Sequence, residues 1–119
     1  MEERKLYSPF NVALTEEEYN MVKRLEPLNI VKHFKRDLMT EEEKIETPHK
    51  YLYWYIGIGR HTETNKLFAV YQAMYESEEF PSHSIFIRPL KMFYSEVDST
   101  KYPDSKAKYR FEKCKKEDL

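Results

Sequence analysis

Two glycines, one cysteine and one tryptophan are all that 119 residues contain of those types, and no apolar run approaches the length of a membrane span. Each shortage excludes something. Gly57 and Gly59, separated by one residue, cannot build a glycine-rich loop that cradles phosphate. A single cysteine forms no intrachain disulfide, and Cys114, within EKCKKED, reads as part of a solvated charged tail over 114–119 rather than as a nucleophile. There is no charge excess either. Twenty Lys plus Arg against 21 Asp plus Glu leave a formal charge of −1, which gives no general attraction for a polyanion. The first residues, MEERKLYSPF, lack the apolar stretch of a secretion signal, so a cytoplasmic location is expected. His33, His49, His61 and His83 are too scattered for a metal site, and no G-x-S-x-G elbow surrounds a serine. No cofactor or metal is expected, and catalysis has little support.

The chain does contain 40% apolar and 15% aromatic residues, enough for one folded domain. TEEEYNMVKRLE, residues 15 to 26, predicts a helix: Thr15 can cap, Glu18 completes a capping box, and Tyr19, Val22 and Leu25 form a narrow apolar stripe that must dock on something. Pro27 stops it. Residues 1–29 then read as an N-terminal extension. YLYWYIGIG, residues 51 to 59, alternates, which places Leu52, Trp54, Ile56 and Ile58 on a core face and the tyrosines and glycines opposite. On that reading Trp54 is buried, and the glycines allow a bend or the close approach of a ligand. ETNK turns the chain, with Asn65 suited to positive φ, and LFAVYQAMY returns as the hairpin partner with Phe68, Val70, Gln72 and Met74 toward the core. SIFI is a further strand ended by Pro89, PLKMF a single helical turn with Leu90 and Phe93 inward, and KYRFEK a last strand. Residues 36–50 form an insertion with a helical turn begun by Thr40. The expected fold is mainly β: a small, strongly bent barrel of about five strands over 30–113, with the N-terminal helix packed on it.

HFK at 33–35, IGIGRHTET at 56–64, VYQAMY at 70–75 and IRPLKMF at 87–93 together resemble the bacterial family known as domain of unknown function 1653, collinearly from about Val31 to Glu112. The resemblance implies an SH3-type barrel and no established activity. Arg36 stands where the family pattern has the glycine of HFKG, so that turn is expected to be rebuilt.

A binding site is expected from the polar residues that leave the ends of these strands. His61, Glu63 and Thr64 lie in the HTET turn, and Arg88 precedes its proline. His61 and Arg88 would offer donors, Glu63 would orient them, and Tyr71 would supply an aromatic wall for an anion or a planar ligand. Arg88 is otherwise a solvated rim residue or the ion-pair partner of Glu63. Gln72, a buried amide in need of partners, would fix a neighbouring loop. Tyr51, Tyr53, Tyr55, Tyr71 and Tyr75 form either a solvent-facing aromatic platform or a second small core. The partner expected first is a small anionic molecule or a peptide; a nucleic acid, held by the tyrosines and by Lys32, Lys35, Arg36 and 108–116, comes second.

Overall fold

The capping box at Thr15 is present in full: Thr15 Oγ1 accepts from the Glu18 amide, and Glu18 Oε1 from the Thr15 amide, at 3.1 and 2.9 Å. The helix it starts, α1 (Glu16–Val22), ends short of Pro27, although Val22 and Leu25 are both buried. The computed structural model describes residues 6–7, 13–115 and 118. Before α1, β1 (Leu6–Tyr7) pairs with β2 (Ala13–Leu14). After it come β3 (Asn29–His33), a 3-10 turn (Phe34–Leu38) and α2 (Glu41–Glu46), the last opened by a second capping box at Thr40 and Glu43. Then follow β4 (Leu52–Arg60), β5 (Leu67–Ala73), β6 (Ile85–Pro89), α3 (Leu90–Phe93) and β7 (Phe111–Lys113).

Five of the strands make one antiparallel sheet in the order β6-β5-β4-β3-β7. The hairpin β4–β5 turns at Asn65, whose φ of 65° is the left-handed value expected there. The mainly-β architecture with a docked helix is therefore as the sequence predicts. The edge strands β6 and β7 are not paired with each other. They are instead brought together by side chains: the Arg88 guanidinium of β6 lies 5.6 Å from the Phe111 ring of β7.

On β5, and on β4 as far as Tyr55, the strand faces are the reverse of the expected ones, whereas Ile58 lies inside with Gly57 and Gly59 opposite, as expected. Tyr53, Tyr55 and Tyr71 are 8, 0 and 4% exposed, whereas Trp54 is 53% exposed. A β-bulge explains the error. Tyr55 pairs with Tyr71 and Gly57 with Val70, so Ile56 is the extra residue, and the parity of β4 changes there. Tyr53, Tyr55 and Ile58 share the inner face, while Trp54, Gly57 and Gly59 lie outside. The apolar alternation Leu52, Trp54, Ile56, Ile58 thus crosses from one face to the other. On β5 the inner residues are Ala69, Tyr71 and Ala73, and Phe68, Val70 and Gln72 are outside and half-buried.

Small alanines on β5 leave room for rings. Tyr55 and Tyr71 pack with Phe93 and Phe111, and Phe93 stacks on Phe111 at 4.3 Å. Tyr94 ties this core to α1: its hydroxyl bonds to Tyr55 Oη, Leu25 O and Val22 O at 2.8, 2.7 and 3.3 Å. Burial raises the pKa of Tyr55 to about 12 and moves that of Tyr94 further in the same direction. Of the two readings of the tyrosines, the small core is realised. Arg36 rebuilds the HFKR turn as a buried anchor. It donates to the Lys50 carbonyl at 2.9 Å and to the Asp118 carbonyl at 2.5 Å. Lys32 holds the Asp118 carboxylate at 3.3 Å, so this part of the charged tail is docked.

Candidate functional site at Arg88

Strand alternation puts Phe86 and Arg88 on the inner face of β6 and Ile85 and Ile87 outside, as their spacing predicts. Arg88 faces Ala69, whose small side chain lets the guanidinium lie over the sheet. Its Nε donates to Tyr71 Oη at 3.1 Å. The group is half-buried, and its terminal nitrogens make no hydrogen bond among the described residues. Among the described residues no buried side-chain nitrogen or oxygen lacks a partner. Ion pairs among the described residues join Lys32 to Asp37 and Asp118, Lys44 to Glu41, and Lys108 to Glu96. Among the described residues Arg88 has no carboxylate partner, and the pair with Glu63 is not formed.

His33, at the end of β3, meets the same Phe111 ring edge-on at 5.1 Å. Its Nδ1 accepts from the Lys35 amide at 3.2 Å, which assigns the proton of the neutral ring to Nε2. Burial first, then the charges of Arg88, Lys35 and Arg110, hold its pKa down to about 3. The imidazole is therefore neutral at pH 7. Phe111 thus has a cation on one side and a neutral N–H donor on another. Farther along the same face Tyr53 and Tyr75 share a hydrogen bond of 2.8 Å, and Phe80 packs on both Tyr75 and Phe86 at 5.4 and 5.0 Å. The chemistry offered is a cationic fork with an aromatic surround and, among the described residues, no ion-pair partner. Such a site accepts anions, and its rings favour flat ones.

The expected site residues divide into three groups. Tyr71 and Arg88 meet as anticipated. His61, Glu63 and Thr64 instead build the hairpin turn, where His61 Nδ1 accepts from the Glu63 and Thr64 amides at 3.2 Å and Thr64 Oγ1 from the Lys66 amide at 3.3 Å. The His61 ring lies 6.1 Å from Phe68, whose face is opposite to that of Tyr71 and Arg88. Gln72 is on the outer face as well, where Nε2 donates to the His83 carbonyl at 2.9 Å. It fixes the 76–84 loop as expected, but from outside the core. His33, Phe86 and Phe111 were missed as site residues. Phe86 could have been found, because it shares the parity of Arg88.

A concavity of about 550 Å³ opens away from Arg88, at the turn end of the hairpin, between Glu18, Lys66, Phe68, Leu90 and Lys91. Arg60 lies on its wall but is engaged, donating to the Asn65 and Ala13 carbonyls at 2.9 and 3.3 Å. The lysines of this groove, Lys66 and Lys91, are solvated surface groups. Among the described residues no three His, Cys, Asp or Glu side chains group as metal ligands, and no helix is long and apolar enough to cross a membrane.

Residues 29–113 match the model of the family described as protein of unknown function (DUF1653). No curated protein and no solved structure matches the chain.

Proposed function

The chain belongs to the DUF1653 family, and from that premise we propose that it is a non-catalytic recognition module whose Arg88 site binds a small planar anion or the carboxylate of a peptide. The observation that carries this reading is a half-buried guanidinium, bonded only to a neutral hydroxyl and lacking a carboxylate among the described residues. A partly desolvated cation without a counter-ion is costly in the free protein, and an arriving carboxylate offsets that cost. Arginine suits the task because its fork meets a carboxylate through two parallel bonds. The neutral His33 adds a donor without adding charge. A cytoplasmic and bacterial setting goes with this reading, the free Cys114 being at home in a reducing compartment.

The nucleic-acid reading has weaker support. Its tyrosines are occupied in the core, Lys32 is paired with two aspartates, and Arg36 is buried against carbonyls. A thermal-shift screen with benzoate, inorganic phosphate and nucleoside monophosphates tests the proposal. A planar carboxylate should raise the melting temperature of the wild type and not that of Arg88→Ala. Stabilisation by phosphate or nucleotides alone, falling steeply with salt, would favour the nucleic-acid reading instead.

A further inference from the structure

β6 is an edge strand, and its outer row is apolar: Ile85 and Ile87 are 61 and 64% exposed. The ladder shows which backbone groups are unused. The Ala73 amide donates to the Ser84 carbonyl at 2.9 Å, so the groups of 84, 86 and 88 point toward β5. Those of Ile85 and Ile87 point away from it, and they make no backbone hydrogen bond among the described residues outside the strand ladders. Natural edges are commonly protected by charge, proline or a bulge. Here Pro89 closes one end, but the three residues Ile85, Phe86 and Ile87 have none of these devices.

We propose that β6 pairs antiparallel with β6 of a second copy of this chain about a two-fold axis at Phe86, joining two sheets into one. That register places Ile85 opposite Ile87 of the second copy, and the reverse, so all four unused groups on each strand find partners. Four isoleucines then cluster on the outer face, and the two Phe86 rings meet on the inner one. The charge arrangement favours a copy as the occupant. Arg88 falls opposite the second copy's Ser84, so no like charges face each other, and a net charge of −1 opposes association little. Pro89, which lacks an amide donor, lies outside the paired core and limits the ladder to this short length. The second copy also borders the Arg88 site through its Ser84 and Phe86.

Sedimentation of the full chain over a concentration series tests the pairing, with Ile87→Lys and Ile87→Pro as variants. The Ile87 amide points away from β5, so proline there removes an edge donor without breaking the β4–β5–β6 ladder. The wild type should be dimeric, both variants monomeric at every concentration, and the Ile85 and Ile87 amides should exchange slowly in the dimer alone. A wild type that stays monomeric, or a dimer that persists in folded Ile87→Lys, overturns the proposal. Because Arg88 is unchanged in both variants, anion binding can be scored separately in the monomers.

Discussion

Arg88 and Phe111 stand on opposite edge strands of the sheet, yet the guanidinium carbon lies 5.6 Å from the ring centroid. This contact carries the curl of the sheet inward to the site, and it makes Arg88 serve both packing and recognition. Arg88→Lys keeps the charge and loses the fork. Its stability cost should stay within about 1 kcal/mol, while affinity for a planar carboxylate should fall tenfold or more, read by calorimetric titration. Equal affinity in the lysine variant would show that only the charge matters.

The pH dependence of stability follows from His33. Its folded pKa of about 3 lies below the unfolded value near 6.5, so only the unfolded state takes up the proton between the two. The sign is therefore fixed: stability is complete above about pH 6.5 and falls as pH drops, by up to about 1.4 kcal/mol per pH unit from this group. Urea denaturation at pH 7 and pH 5 should show a loss of about 2 kcal/mol that His33→Asn, which keeps an acceptor for the Lys35 amide, largely removes. An equal loss in the variant would assign the effect to other groups.

The reversed faces make an opposite pair of predictions for two aromatic residues. Trp54→Ala should cost less than about 1 kcal/mol, whereas Phe93→Ala, at a fully buried ring, should cost about 3 to 5 kcal/mol. Trp54 is the only tryptophan, so its emission should be red-shifted and open to iodide quenching in the folded protein. A blue-shifted, protected emission would restore the face assignment drawn from alternation.

Tyr94→Phe removes the hydroxyl that joins Tyr55 to the Leu25 and Val22 carbonyls. Leaving those buried partners unsatisfied should cost about 1 to 3 kcal/mol. The loss should appear first as faster amide exchange at Lys23 and Leu25, where the chain leaves α1.

Local signals in the sequence were readable wherever one residue determines its own surroundings. The capping box at Thr15, the helical turn begun by Thr40, the left-handed Asn65 and the inward Leu90 and Phe93 all formed as predicted. The faces of β4 were not readable. One extra residue at Ile56 inverts the parity of everything on one side of it, and although Gly57 beside it signals a bend, a glycine does not say which residue is the extra one. The fully buried Leu52 made the wrong alternation look sound, because it is enclosed on the face opposite Tyr53. For the site, the pairing of Arg88 with Tyr71 was legible from parity and from the motif spacing. His33 was not, because 55 residues separate it from Arg88 and only the curl of the sheet brings both to Phe111.

The recognition role requires Arg88 to be an open anion receptor, and the side-chain Nε–H resonance of that residue reports on it directly. In a titration of ¹⁵N-labelled protein with benzoate, the Arg88 Nε–H should shift and saturate together with the His33 ring and the aromatic protons of Tyr71 and Phe111, while Lys66 and Lys91 stay unmoved. If the Arg88 resonance stays fixed through titrations with benzoate, phosphate and nucleoside monophosphates, or if only the groove around Lys66 and Lys91 responds, the site is structural and the recognition role is wrong.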